Sequence, residues 1–526
     1  MGTFADLMLS LAAFLMAISI PAAAAATTCE NLSSLKLKDA TVVAQSIPAG
    51  AFAVPGTKST VKTTAAFCRV ALTLKPSTDS DIKVEVWLPS TGWNGKFQGV
   101  GNGGFAGSID YQELAMAVSK GYSAAATDTG HEADPGDAQW ALNHPDKILD
   151  FGYRAIHETA DRAKAVIKAF YGNAPKRSYF NSCSDGGREA LMEAQRFPAD
   201  YDGIVAGAPA SYWTHLMTQL TYNMQAISTP ASYISSAKLR AIEDNALNQC
   251  DALDGVKDGV IENPTICRPD LKPLLCQGAD TNECLTQPQL DALAKIYAGP
   301  KTSSGQQVIP GLLPGGEAEP TGWGAWIAGP RPGSSMQYAF GTNFFKYMVY
   351  NDPNWDYKDS TVDHNLSLAD DKLAGILNAT DPDLKKFRAR GGKLILYHGW
   401  ADAAIPPQNT VSYYESIVSR MGEKESASFV RLFMVPGMEH CSSYGAGVSM
   451  FVLNPVPLSD ADHDLAAAVE RWVEQGLAPE RIVAGKPKSM ADGANFSRTR
   501  PLCAWPRTAH YNGTGSTDDA ANFICQ

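Results

Sequence analysis

Between residues 40 and 210 the chain alternates strand-like and helix-like apolar patterns. Ala40 to Leu88 reads mostly as strand, and Val84-Glu-Val-Trp-Leu88 alternates before stopping at Pro89. Phe97-Gln-Gly-Val-Gly-Asn-Gly-Gly-Phe-Ala-Gly107 runs from a strand into a glycine-rich turn. A helix over about Asp110 to Lys120 and a buried strand over Tyr122 to Thr127 follow. Helical spacing of Ala155, Ile156, Ala163, Val166, Ile167 and Phe170 predicts a helix from about Tyr153 to Tyr171. Next come a short strand from Ser178, a tight turn over Cys183 to Gly187, and a helix from about Arg188 to Arg196. Tyr201 to Pro209 reads as another buried strand with its exit turn. Strands alternating with helices predict a parallel α/β sheet.

The rhythm fades from about Ser211 to Ala374. This stretch is rich in Pro and Gly, holds four cysteines, and carries aromatics that include Trp323, Trp326, Tyr338, Phe340, Phe344 and Phe345. Its length is unusual for a loop, so it reads as an inserted lid. The aromatics could line a pocket for a flat substrate, although any single one fits better as the lid's own core. Regular α/β resumes at Gly391, with a buried strand over Leu394 to Tyr397 and Asp402 in the loop just past it. A helix to about Met421, a strand over Ser428 to Met434 and an amphipathic helix over Asp460 to Glu474 complete the pattern. The division predicted is a core in two parts, 27–210 and 376–526, around a lid over 211–375.

Residues 1–26 change the picture of where the protein works. Leu7 to Ile20 is apolar, and Pro21 with Ala22 to Ala26 suits cleavage near Ala24 to Ala26, as in a secretory signal peptide. The segment before it carries Asp6 and no Lys or Arg, which leaves an uncleaved anchor as the alternative. No later run is apolar for long enough to span a bilayer. A secreted or periplasmic protein is expected.

Net charge is −11, and no basic cluster offsets it, which argues against nucleic acid as a partner. An even count of ten cysteines in an exported chain implies disulfides, and the absence of any C-x-x-C pair argues against zinc. Proximity suggests Cys29–Cys68, Cys250–Cys267, Cys276–Cys284 and Cys503–Cys525, which leaves Cys183 and Cys441. Sequons at Asn31 and Asn378 do not settle glycosylation.

The candidate chemistry lies at strand ends. Cys183-Ser184-Asp185-Gly186-Gly187 follows a strand and precedes a helix, as a nucleophile elbow does, although Ser182 stands where G-x-S-x-G wants its first glycine. Ser184, Asp402 and His440 stand in the order Ser, Asp, His, each after a predicted strand. A hydroxyl needs an imidazole to take its proton and a carboxylate to orient that imidazole. Cys183 precedes the serine and Cys441 follows the histidine; a bridge between them would tie the two together. Gly103 and Gly104 could present backbone N–H groups to an oxyanion, with a plain tight turn as the alternative. His131, at the end of a predicted strand, could be a base but fits better as a structural hydrogen-bonding residue. Asp251, Asp254 and Asp258, with carbonyls such as those of Val256 and Val260, form either a calcium loop or a solvated acidic turn.

Cys183-Ser184-Asp185-Gly186-Gly187, Asp402 and His440-Cys441 resemble the CS-D-HC motif of the tannase and feruloyl esterase family. The similarity runs across essentially the whole chain after the leader. It implies an α/β-hydrolase core with a large lid and a structural calcium on the Asp251, Asp254 and Asp258 loop. It also implies oxyanion donors in the N–H of Asp185 and of a glycine in the Gly103-Gly104 turn. The implied activity is hydrolysis of small aromatic esters such as gallates, ferulates or terephthalate half-esters. A terephthalate carboxylate would want a basic partner, for which Arg331 and Lys346 are candidates. A serine peptidase and a non-catalytic calcium-stabilised binding module are the rival readings, and oligomeric state is open.

Overall fold

The computed structural model describes residues 27–441, 445–453, 458–489 and 495–526. The expected signal peptide lies outside them. Nine strands make one mixed sheet: β1 (Ala40–Ile47), β2 (Phe67–Leu74), β3 (Ile82–Pro89), β4 (Lys96–Val100), β5 (Ser123–Thr127), β6 (Arg177–Cys183), β7 (Gly203–Gly207), β8 (Lys393–Gly399) and β9 (Val430–Val435). The spatial order is β1-β2-β3-β5-β4-β6-β7-β8-β9. The first three strands and β5 pair antiparallel, and every pair from β5 through β9 is parallel. The alternating pattern predicts the parallel part; the antiparallel strands, from the stretch before residue 90, make the sheet mixed, and the whole is the α/β-hydrolase core that the resemblance implies.

The parallel strands are buried on both faces, so they read as unbroken apolar runs. Alternate residues serve opposite layers. Phe180, Ile204, Leu394 and Leu396 pack with helices α2 (Ala155–Tyr171) and α3 (Asp185–Arg196), beyond α1 (Tyr111–Ser119) in the chain. Tyr179, Val205, Ile395 and Phe433 pack instead with Leu465, Val469 and Trp472 near the C-terminus. Register brings Cys183 beside Gly207, and Gly207 beside Tyr397. The C-terminal ends of β6, β8 and β9 therefore lie close together, and the loops leaving them can share one site.

Residues 208–392 intervene between the adjacent strands β7 and β8 without adding a strand to the sheet. They are more helical than the pattern suggests, with α4 (Trp213–Ala226), α5 (Leu239–Cys250), α6 (Gln287–Ala298) and α7 (Met336–Asn343). The reason is burial. Eleven of the residues of α4 are buried, polar ones such as Thr214, Gln219 and Asn223 included, so it shows no polar face to betray a helical period. Phe344, Phe345 and Trp323 fill the insertion's own core, as expected for most of its aromatics.

Helices α8 (Pro407–Met421) and α9 (Leu465–Gln475) return to the sheet. The latter starts later than the predicted Asp460, because the Asp464 carboxylate accepts from the N–H groups of Ala466 and Ala467 and caps it. All ten cysteines pair, in the four proximal bridges and in Cys183–Cys441. Among the described residues no helix is long and apolar enough to cross a membrane.

Candidate active site

The chain leaves β6 through Ser184, whose backbone sits at φ 66°, ψ −123°. A non-glycine residue there is strained, and neighbours hold it in place: Ser184 N–H donates to Gly207 O at 2.9 Å, and its carbonyl accepts from Ala210 N–H at 3.1 Å. Helix α3 begins at Asp185 rather than near Arg188, so Gly186 and Gly187 belong to the helix and not to a turn. They are needed for close packing. A Cβ at Gly186 would lie 2.0 Å from Ser182 Oγ, and one at Gly187 2.3 Å from Gly207 O. Ser182, the departure from the usual motif, is the side chain that Gly186 accommodates.

His440 follows β9, and its Nε2 lies 2.9 Å from Ser184 Oγ. Its Nδ1 lies 2.7 Å from Asp402 Oδ2. A carboxylate only accepts, so the ring proton sits on Nδ1 and Nε2 is free to take the serine proton. Asp402 is buried. Its Oδ1 accepts from the N–H groups of Ala404 at 2.7 Å and Ile405 at 3.0 Å. Burial alone would raise its pKa; the charge of His440 and hydrogen bonds from His398 and His440 outweigh this and hold it well below the usual carboxylate range. The Cys183–Cys441 bridge, with Cα atoms 5.8 Å apart, fastens the serine turn to the histidine loop.

Gly103, Gly104 and Asp185 line the same cavity as Ser184 and His440. As the first residue of its helix, Asp185 has a backbone N–H with no carbonyl one turn earlier to accept it. Gly186 N–H donates to Asn102 O at 2.7 Å, which joins the helix start to the glycine turn. Gly104 requires glycine: its φ is 63°, and a Cβ would lie 2.4 Å from Pro135 O. Beneath the elbow the Asp185 side chain is paired with fully buried Arg188 at 2.6 Å; burial still pushes Asp185 up to about 6. His131 is structural, as expected: its Nε2 lies 2.8 Å from Phe105 O, its ring stacks on Trp140, and burial lowers it to about 4.

The cavity measures about 790 Å³. Trp326 and Phe340 of the insertion line it and stack on each other, and Trp326 meets the His440 ring edge-to-face at 5.5 Å between centroids. Leu216, Met217 and Ile405 continue this apolar wall. The insertion is also tied to the histidine loop, since buried Glu439 accepts from Thr321 N–H at 3.0 Å and from the Thr321 hydroxyl. Arg331 and Lys346 do not reach the site: Arg331 is exposed, and Lys346 lines a different cavity, on the other side of helix α7. The basic partner considered for a terephthalate carboxylate is therefore not supplied by either.

The acidic loop is held by its own backbone. Asp251 accepts from Asp258 and Gly259 N–H groups, Asp254 from Val256, and Asp258 from Val260. The second oxygen of Asp258 pairs with Arg500 of the C-terminal tail. Burial, and then the neighbouring Asp258 and Asp251, raise Asp254; burial lifts nearby Glu262 to about 8, and Asp254 and Asp258 add to the rise. A hard cation would relieve this crowding, and the donor set is all oxygen. The three carboxylates are not, however, among the ligand groups whose donor atoms converge within 4.8 Å. Among the described residues those groups are Cys276, Asp280 and Cys284, whose sulfurs are bridged, and His157, Glu193 and Asp200, where Lys164 already pairs with Asp200.

Sequence reasoning missed two residues. His398 is fully buried at the end of β8, with Nε2 3.0 Å from Asp402 Oδ2. A histidine four positions before the acid was the available signal, weak because it stands inside an apolar strand. Glu113 of α1 lines the cavity but reads as an ordinary charge in the first turn of a helix.

Residues 68–526 match the family described as tannase and feruloyl esterase. An uncharacterized esterase of Xanthomonas campestris pv. campestris is 43% identical over 530 residues, covering 96% of this chain and 92% of the relative. A probable feruloyl esterase B-1 of Aspergillus fumigatus is 34% identical, covering 89% and 88%. The crystal structure of feruloyl esterase B from Aspergillus oryzae superposes with a TM-score of 0.87 at 30% identity, over 95% of this chain and 99% of that one. By sequence and by fold, this chain belongs to the tannase and feruloyl esterase family and is a carboxylic ester hydrolase.

Proposed function

We propose that the enzyme hydrolyses aromatic carboxylic esters of the feruloyl or galloyl kind, with Ser184, His440 and Asp402 as its catalytic triad. The observation that carries the reading is the unbroken line from Ser184 Oγ through His440 to Asp402, at 2.9 and 2.7 Å, opening into an aromatic-walled cavity. Ser184 Oγ attacks the ester carbonyl carbon and passes its proton to His440 Nε2. Backbone N–H groups of Asp185 and of Gly103 or Gly104 receive the oxyanion. Asp402 stabilises the imidazolium. The tetrahedral intermediate collapses, the C–O bond to the alcohol breaks, and His440 gives its proton to the leaving oxygen. Water then attacks the acyl-enzyme by the same route, and the aromatic acid leaves with Ser184 restored. Trp326 and Phe340 offer rings on which the acyl ring stacks.

Calcium belongs to the proposal as a structural ion. The carboxylates of Asp251, Asp254 and Asp258 with the carbonyls of Val256 and Val260 would hold it, and it would neutralise the crowded loop. The raised Asp254 and Glu262 support this. An exported location is supported by the five disulfides.

Turnover of methyl ferulate and methyl gallate tests the substrate class. The expected result is release of both acids by wild type and of neither by a folded Ser184→Ala variant. Failure of the wild type to cleave either aromatic-acid ester, with simple aliphatic esters cleaved, would sink the aromatic reading.

A further inference from the structure

We propose that the reaction cavity excludes anions, and that Glu113 with Asp110 makes it reject esters carrying a second carboxylate, such as a terephthalate half-ester. This deepens the esterase reading and rests on it. The cavity's insertion side is apolar and aromatic, and among the described residues no lysine or arginine lines the cavity. Residues 442–444 and 454–457, outside the description, contain no lysine or arginine either. The buried Arg188 beneath the elbow is spent on Asp185 and on the carbonyls of Gly152 and Phe151. His440 is engaged with Ser184 and Asp402.

Basic residues do occur in the insertion. Lys346 and Lys358 line a separate cavity of about 390 Å³ that also contains Tyr338, whereas Met336 and Phe340 of the same helix line the reaction cavity. Helix α7 thus divides a cavity with cations from one without them.

The other side of the reaction cavity carries acid. Asp110 caps α1 through a 2.9 Å hydrogen bond from Glu113 N–H. The Glu113 carboxyl itself has no hydrogen bond or ion pair among the described residues, and it lines the cavity. Burial, and next the adjacent Asp110, raise it to about 7 against an opposing pull from Lys120 at the end of the same helix, which is not among the residues lining the cavity, so it is mostly ionised at pH 8. A carboxylate on a substrate ring would leave water for an apolar wall with no counter-ion, and would share the cavity with like charge. An uncharged phenolic or ester group in the same place carries neither penalty.

The test compares two esters with the same ring and the same leaving alcohol. At pH 8, kcat/KM is measured for bis(2-hydroxyethyl) terephthalate, which is neutral, and mono(2-hydroxyethyl) terephthalate, which is anionic, with methyl ferulate alongside. The diester is expected to be preferred by about 100-fold or more. Glu113→Lys should narrow that ratio by at least about tenfold and Glu113→Gln by less, with melting curves confirming that each variant is folded. A wild-type ratio near one, with methyl ferulate cleaved, overturns the inference and leaves the esterase reading standing. So does a ratio that neither variant moves. If no ester is cleaved at all, the esterase reading falls and this inference falls with it.

Discussion

His398 and His440 hold the same oxygen of one acid: their ring nitrogens lie 3.0 and 2.7 Å from Asp402 Oδ2. The His398 Nε2 also faces Ile405 O at 3.2 Å. Both neighbours accept only, so Nε2 carries the proton. Its Nδ1 meets the Thr410 hydroxyl at 2.7 Å, which can donate to the neutral ring. His398 is therefore a positioning residue, which turns Asp402 toward His440 and shares its charge. His398→Ala should lower kcat by roughly tenfold with little change in KM, and His398→Gln, which keeps a donor, should recover part of the loss. The acid limb of the pH–rate profile should also move to higher pH, because a carboxylate with one donor fewer holds the imidazolium more tightly. A folded His398→Ala with unchanged kcat and an unmoved acid limb would assign the residue to packing alone.

The Cys183–Cys441 bridge makes a different prediction from the other four. It closes a loop of 258 residues and ends one position from each of Ser184 and His440. Replacing both cysteines by serine should cost about 2–4 kcal/mol of stability. It should also cost turnover, by about 100-fold, because a shift of about 1 Å between nucleophile and base is enough to lose that much. Removing Cys503–Cys525, which packs with Val256, Ala509 and Phe523 and does not line the cavity, should lower the melting temperature without a comparable loss of kcat. Equal effects of the two double variants on kcat would remove the positioning role from the first.

Much of the site was legible in the sequence because its chemistry is written at strand ends. Ser184, Asp402 and His440 each follow a buried apolar run, and the flanking cysteines mark two of them. The glycines at 186 and 187 misled, since they look like a turn. What they serve is contact with Ser182 and Gly207, a relation between distant segments that no local pattern encodes. The helices of the insertion were hidden for a related reason: α4 is buried on all sides, so its polar residues follow internal partners rather than solvent. His398 and Glu113 become visible only once the fold sets one against Asp402 and the other in the cavity wall.

Stability should rise on mild acidification. Burial lifts Glu439 from an ordinary 4.5 to about 7 and Asp128 from 3.8 to about 7. Folded protein therefore keeps protons that the unfolded chain has released, and over that interval stability falls as pH increases. The contribution is full below about pH 4 and lost by about pH 7 to 8. Melting temperatures recorded from pH 8 down to about pH 6.5 should increase; below that, buried His131, lowered to about 4, opposes the trend. A flat or falling series would show that these carboxyls are not buried as described.

Chelation tests the acidic loop. Treatment with excess EDTA should lower the melting temperature by several degrees, and added calcium should restore it. Asp251→Asn should abolish the calcium response. Because the loop is pinned to the tail through Asp258 and Arg500, turnover well below the melting temperature should be little affected. Melting that is indifferent to both chelator and calcium would leave the loop as a self-contained acidic turn with arginine partners.

Covalent labelling gives the most direct test of the central claim, that Ser184 is the nucleophile activated by His440. A fluorophosphonate should add one mass increment to the wild type, located by peptide mapping on the segment containing Ser184. Ser184→Ala should melt like the wild type, take no label and cleave no ester. Ester turnover by that variant, or a label mapped to another residue, would contradict the account.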